Sequence, residues 1–468
     1  EGTRCLDQDQ IKDVWVGDVW FMGGQSNMQG VGLMDTAPKP HPLVRCFYMR
    51  DEWGQACEPL HLLGEAVDPV HNNEQRLTVE QAEQARKTAI RGVGPGLFFG
   101  IEMARRTGVP QGLVACAHGG TSMAAWSPAL KDQEGKSLYG AMLRRYHKLG
   151  QPIRGMLWYQ GESDAFPEQA LVYTQRMQEL VASVRRDFNQ PRLPWLIVQI
   201  GRVFSETWSA VPWNEIQNQQ RLLPACIKNL EVVPAVDLEL HDMIHIGTAG
   251  HAILARRLAD MADRMALGLV KKPGSIRLRK IREIHRKNPG DPLEHGIELS
   301  FDHVVGSLQS QGLPHGFTLL DSSSKPLSMI YRVRLEGNKV ILETTLTPAL
   351  AFKIGYGLGT DPHCNITDAR GMALPVFGPV FIAGHQGIGS AFLVEWRISG
   401  PYPGLTVESA AYPDPQREWR APYSVATHLI MAQDVRNPKP GLFYYRTTLQ
   451  VEREMQTQLS LGADSPYR

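Results

Sequence analysis

The chain has 468 residues, 43% hydrophobic and 21% charged, a globular composition that excludes a mainly disordered protein. Lysine plus arginine (49) almost cancels aspartate plus glutamate (48), so no net field draws the chain to nucleic acid or to an anionic membrane. No apolar run reaches the roughly 18 residues that span a bilayer, and at about 100–200 residues per domain the length implies roughly two to four domains.

The N-terminus, Glu1-Gly2-Thr3-Arg4, has neither an initiator Met nor a charged-then-apolar leader. That suits a mature form or an excerpt and does not fix the compartment, which is expected on other grounds to be secreted, periplasmic or lumenal. Apolar runs at Asp18–Met22, Gln111–Cys116, Gly155–Tyr159, Trp195–Ile200 and Val232–Val236 have the length of buried strands. Between them, Leu97–Arg106, Ala170–Phe188, Asn214–Leu223 and Thr248–Ala266 carry apolar residues at helical spacing. Strands alternating with helices predict a parallel sheet covered on both faces. Gln29–Arg91, rich in Pro, His and charge, lacks periodicity and reads as a surface excursion near a site.

At Lys271-Lys272-Pro273-Gly274 the pattern changes to alternation, as in Gly296–Phe301 and Lys339–Thr344, with a turn at Glu336-Gly337-Asn338. Leu393–Ile398, Tyr444–Val451 and Gln456–Leu461 continue it as a last β segment near Arg468, expected to be an incomplete, jelly-roll-like unit. The expected division is 1–272, an α/β domain; 273–384, a β domain; and 385–468, a second β-rich domain. The six cysteines lack C-x-x-C spacing, which argues against structural zinc, and Cys116 in its apolar run reads as a buried free thiol. The sequon Asn365-Ile366-Thr367 is weak support for secretion.

Ligands of an open α/β sheet bind beyond the carboxyl ends of its strands. There stand Gly24-Gln25-Ser26-Asn27-Met28, His118-Gly119-Gly120-Thr121-Ser122, Gln160-Gly161-Glu162-Ser163-Asp164 and His241-Asp242-Met243-Ile244-His245. A Ser on a Gly-rich turn exposes its hydroxyl, a His can take its proton, and a carboxylate holds the imidazole in the needed tautomer. Asp242 and His245 supply the last two within one turn. Glu162 is a second carboxylate in the same loop set. Gly119 and Gly120 let a backbone N–H approach a developing oxyanion, and Gln160 offers an amide. Read singly, Ser26 fits a helix N-cap, Gly119-Gly120 a turn and His245 a capping histidine. His241, Asp242 and His245 could ligate a metal, but no dense ligand motif supports one, so no metal and no organic cofactor are expected. Trp126, Trp158 and Trp213 read as core or cleft walls.

Together with the Trp126 and Trp158-Tyr159 that flank them, these four blocks resemble the ordered blocks of carbohydrate esterases of the SGNH hydrolase superfamily. They are most similar to the group of sialate O-acetylesterases and acetyl xylan esterases, over Val14 to Ala266. Ser275–Ile382 is similar to the β domain that follows in sialate O-acetylesterase-like proteins, and the last segment to β-sandwich modules of carbohydrate enzymes. The resemblance implies a three-layer, flavodoxin-like hydrolase domain with a parallel sheet, followed by one or two β-sandwich-like domains. It implies Ser26 as nucleophile and His245 as base, with an oxyanion hole from Ser26, Gly119 or Gly120, and Gln160, beside Gln25. The Asn common in the superfamily's third block is replaced by Gln160-Gly161-Glu162, which leaves Asp242 and Glu162 both open as the third triad member. The implied reaction removes O-acetyl groups from a carbohydrate through an acetyl-serine, the partner being the acetylated sugar. Sialic acid, xylan and other acetylated plant glycans remain as substrates, and a glycan-binding protein with a degenerate hydrolase fold is the non-enzymatic alternative. Oligomeric state is unknown.

Overall fold

A computed structural model describes residues 14–269, 272–285, 295–321, 324–345 and 353–382. It also describes the backbones of Trp396–Tyr402, Ser424–Ala426, Leu429–Met431 and Leu442–Thr447. A seven-stranded sheet organises the first part: β1 (Asp18–Gly24), β2 (Val44–Phe47), β3 (Trp53–Gln55), β4 (Gln111–Ala115), β5 (Gly155–Tyr159), β6 (Trp195–Gln199) and β7 (Leu230–Pro234). The order across the sheet is β3-β2-β4-β1-β5-β6-β7. Six strands are parallel, and β3 pairs antiparallel with β2 at one edge. The expected all-parallel sheet is thus mixed. Every residue of β4, β5, β6 and β7 is buried, which requires cover on both faces and explains why these strands read as unbroken apolar runs.

Five long helices accompany the sheet: α1 (Pro95–Thr107), α2 (Leu138–Leu149), α3 (Tyr173–Asp187), α4 (Ala210–Cys226) and α5 (Thr248–Met265). Four match expected segments. The expected Ala170–Phe188 is divided into the turn Pro167–Ala170 and α3. Helix α2 escapes sequence reading because its buried face carries Arg145, whose guanidinium donates to the carbonyls of Phe47, Tyr48 and Met49 and to Asp51. A buried arginine looks like a break in an apolar stripe. The excursion Gln29–Arg91 is also more ordered than its composition suggests, since it supplies β2, β3 and a helix, Val79–Thr88, with a Thr78/Gln81 capping box. Strand β7 begins two residues before its expected start because Glu231 is buried in it, paired with Arg277. Trp126, Trp158 and Trp213 are fully buried core.

Beyond residue 272 the chain forms β8 (Arg277–His285), β9 (His295–Asp302), β10 (Phe317–Leu320), β11 (Pro326–Leu327), β12 (Ile330–Glu336), β13 (Lys339–Thr344), β14 (Lys353–Tyr356) and β15 (Phe377–Phe381). They make two four-stranded antiparallel sheets, β8-β9-β13-β12 and β11-β10-β14-β15. The turn Gly337-Asn338 joins β12 to β13, as its sequence suggests. This region is bound to the first. Gln199 on β6 exchanges two hydrogen bonds with the backbone of Val376, both 2.9 Å. Asn214 on α4 does the same with Gly359, at 3.0 and 2.8 Å. One continuous apolar cluster spans both parts.

Of the last β segment, Trp396–Tyr402 pairs antiparallel with Leu442–Thr447. The expected strand Gln456–Leu461 lies outside the described residues, as do 393–395 and 448–451. The five described cysteines, Cys116 among them, are unpaired. The Asn365 side chain is occupied by backbone groups of Gln311, Leu313 and His315, so a glycan there would displace a loop clasp. Among the described residues no helix is long and apolar enough to cross a membrane.

Candidate active site

Central strand β1 ends at Gly24, where φ is +122° and a Cβ would lie 2.1 Å from the carbonyl oxygen of Tyr159. Only glycine fits there. The chain then turns sharply: Gln25 N–H donates to Tyr159 O at 2.8 Å, and Met28 and Gln29 N–H donate to Gln25 O at 2.9 Å. Ser26 thereby opens a single helical turn, Ser26–Gln29, beyond the carboxyl end of the sheet. As the first residue of that turn it has no intrahelical acceptor for its N–H.

The loop after β7 folds back on itself, with His241 N–H on His245 O at 2.7 Å and Gly247 N–H on Glu239 O at 3.1 Å. Asp242 Oδ1 accepts the N–H groups of Ile244 and His245 at 3.0 and 2.9 Å. His245 Nδ1 lies 3.0 and 2.9 Å from the two carboxylate oxygens, and Nε2 lies 2.9 Å from Ser26 Oγ. Burial works to raise the Asp242 carboxyl, but the Ile244 N–H, the His245 ring and the His245 N–H outweigh it and hold the group well below the usual carboxylate range. An ionised carboxylate only accepts, so Nδ1 carries the proton and Nε2 is left to accept from Ser26 Oγ–H.

Glu162, the other candidate for the acid, is placed differently. It is buried, its Oε1 accepts from Asn27 Nδ2 at 2.9 Å, and Oε2 has no partner among the described residues. Burial raises its carboxyl above the ordinary range. Asn27 in turn accepts Ile246 N–H at 3.0 Å and lies within 3.4 Å of Ile244 O. It is a strut between the Ser26 turn and the His245 loop.

Gln160 is fully buried, and its amide nitrogen donates to Asp164 Oδ2 at 2.6 Å and Thr121 O at 3.2 Å. Its two N–H groups are spent inside the scaffold, so the expected amide donor to an oxyanion is not on offer here. Gln25 is also buried, its Oε1 accepting Ser163 N–H at 3.2 Å. Asp164 clamps the second loop by accepting Met123 N–H at 2.7 Å.

A Cβ on Gly119 would lie 3.5 Å from Ser26 Cβ, so this backbone passes against the serine. Its N–H is taken by Gln29 Oε1 at 2.8 Å. Gly120, at φ +71° and exposed, has no acceptor for its N–H among the described residues. Ser26 and Gly120 thus each offer an N–H with no acceptor among the described residues.

Sequence reading missed Asn27, Gln29 and Asp164, all within or beside the quoted blocks, and two residues of the excursion. His71 Nδ1 lies 3.1 Å from His118 Nδ1, with both rings held toward the neutral form, chiefly by burial. Arg91 Nη1 lies 2.9 Å from Asp242 Oδ2. Neither had a local signal, since their partners are 47 and 151 positions away.

Residues 16–264, more than half of the chain, match the family model of carbohydrate esterase, sialic acid-specific acetylesterase. A probable carbohydrate esterase of Arabidopsis thaliana, At4g34215, is 29% identical over 204 residues, spanning 39% of this chain and 68% of that protein. Among solved structures, a carbohydrate acetylesterase from Xanthomonas citri, XAC1771, covers 77% of this chain and 80% of its own, with a TM-score of 0.57 at 23% identity. That likeness is one of fold. The crystal structure of the Arabidopsis protein covers 52% of this chain and 97% of its own, with a TM-score of 0.41 at 27% identity.

Proposed function

The chain belongs to the carbohydrate esterase, sialic acid-specific acetylesterase family, and we propose that it removes O-acetyl groups from sugars by serine catalysis. The observation that carries this reading is the continuous run of contacts from Ser26 Oγ to His245 Nε2 and from His245 Nδ1 to Asp242, closed at 2.9 Å on each side. Ser26 Oγ attacks the acetyl carbonyl while His245 Nε2 takes its proton. The oxyanion is met by the N–H groups of Ser26 and Gly120. His245 then gives its proton to the departing sugar oxygen, leaving acetyl-Ser26. Water attacks that ester with His245 again as base, and acetate leaves. Asp242 fixes the tautomer and offsets the imidazolium charge, while Glu162 acts as a fastener for Asn27.

We assign residues 1–272 to the esterase part, an SGNH-type three-layer domain, 273–384 to a β-sandwich-like domain and 385–468 to a further β-rich one. A serine at the carboxyl end of the central strand supports the first assignment. An opening of about 350 Å³ beside the second loop, with Asn73, His118, Thr121 and Lys136 on its walls, has the size of a sugar subsite.

Acetate release from a panel of acetylated sialic acids, xylans and pectins, with 4-nitrophenyl acetate as a small control, tests the reading. Preferred release from sialates makes sialic acid the substrate class, and preferred release from xylan or pectin makes it a plant glycan. Ser26→Ala should lower kcat by roughly 10⁴–10⁶ without loss of folding. Activity within about tenfold of the parent would remove Ser26 as nucleophile. Glycan binding without turnover of any ester would favour the non-enzymatic alternative.

A further inference from the structure

Arg91 closes the excursion and stands on a two-stranded ribbon, Gly32–Leu33 with Arg91–Val93, in which Leu33 faces Arg91. The ribbon is fastened to the first turn of α5: Thr248 Oγ1 donates to Leu33 O at 3.0 Å, and a Cβ on Gly32 would come within 2.8 Å of that hydroxyl. Helix α5 begins directly after the His245 loop. The same helix end therefore sets the places of Arg91 and His245. From the ribbon, Arg91 Nη1 meets Asp242 Oδ2 at 2.9 Å, the oxygen that also lies 2.9 Å from His245 Nδ1. Asp242 Oδ1 is filled by the two loop N–H groups. The carboxylate is thus held from both sides.

We propose that Arg91 is a positioning residue of the esterase reaction: its guanidinium fixes Asp242 against His245 and balances the carboxylate's charge, so that the imidazole is free to accept a proton. This rests on the Ser26–His245–Asp242 reading. Of the other titratable groups, Glu162 of the third loop and His251 on α5 interact electrostatically with His245, and Glu239 and His241 share its loop. Among the described residues, none of these is hydrogen-bonded to Asp242 Oδ2.

Without the guanidinium the carboxylate charge beside the base is no longer balanced, which favours the protonated, inactive form of the site. In Arg91→Gln, the acidic limb of the kcat/KM profile for 4-nitrophenyl acetate should move up by about half a unit to one unit. The plateau should fall by roughly three- to tenfold, in kcat rather than KM. Arg91→Lys should restore the midpoint more fully than the plateau, because an ammonium supplies charge without the planar fork. Since Arg91 is 46% exposed, high salt should narrow the gap between parent and Arg91→Gln. Circular dichroism and melting of both variants identify a folding defect, in which case Arg91→Lys carries the test. An unmoved midpoint with a plateau within about twofold would make Arg91 an ordinary surface ion pair. If Ser26→Ala is inactive while the Arg91→Gln midpoint stays put, only the Arg91 inference fails; if Ser26→Ala stays active, the underlying reading fails instead.

Discussion

The loop that carries Asp242 and the loop that carries Glu162 and Asp164 treat a carboxylate in opposite ways. Asp242 is a quarter exposed, and the N–H groups of Ile244 and His245 and the His245 ring keep it ionised, with the Arg91 guanidinium 2.9 Å from its Oδ2. Glu162 and Asp164 are buried, and burial is the largest influence on each, raising both. A group that must oppose an imidazolium in every turnover needs the first environment. The second suits a fastener, which has only to keep accepting hydrogen bonds. Two acidic side chains that the sequence leaves open as the third triad member, Asp242 being the nearer to His245, thus differ in the number of donors around them.

The largest expected effect is that of Asp242→Asn. It retains an acceptor for the Ile244 and His245 N–H groups but favours the wrong tautomer of His245, so kcat should fall by about 10⁴. Initial rates across pH on 4-nitrophenyl acetate read this directly.

Glu162→Gln sharpens the contrast, because Gln keeps an acceptor for Asn27 Nδ2 and carries no charge to bury. Its kcat should stay within roughly tenfold of the parent. A larger loss than in Asp242→Asn would exchange the roles of the two acids. The same substitution has a stability signature. A carboxyl raised by folding binds its proton more tightly in the native state than in the unfolded one, so native stability declines as pH climbs above the ordinary carboxylate range. Glu162→Gln should therefore gain on the parent with rising pH in denaturant titrations.

The smallest effect on turnover is expected at Glu58, a third carboxyl governed by burial. It is pushed up from 4.5 to about 8 and accepts Leu60 N–H at 2.9 Å. Its linkage has the sign of Glu162: the parent loses stability as pH rises from about 4.5 to about 8. Glu58→Gln should flatten that decline while leaving the rate on small esters unchanged. Equal slopes for parent and variant would show that the carboxyl is not confined as its burial suggests.

Much of this was legible beforehand, for identifiable reasons. Strands β4 to β7 are buried on both faces and so wrote themselves as apolar runs. Asp242 and His245 sit three positions apart, so their geometry was set locally, and Ser26 lay in a compact block. Helix α2 was hidden because Arg145 spends its charge on carbonyls of another element, which no periodicity records. Gln160 was misread because a loop amide can serve a substrate or a scaffold equally well, and only its burial decides. Arg91 and His71 were invisible because their contacts, with Asp242 and His118, are made only once the fold brings distant segments together. The edge pair β2–β3 was missed because its strands are short and partly polar.

The amide pairs at Gln199–Val376 and Asn214–Gly359 have one more consequence. Each side chain presents an N–H and a C=O to a main chain much as a neighbouring strand would. Such a contact reads backbone geometry, so it fixes the register of residues 357–378 against the first part while their buried side chains, Ile366, Met372, Leu374 and Val376 among them, fill the core. Taking that segment away would strand buried amides, at about 1–3 kcal/mol for each unpaired group, and uncover the apolar cluster beneath. A shortened protein would then be limited by its solubility before its chemistry was ever in question.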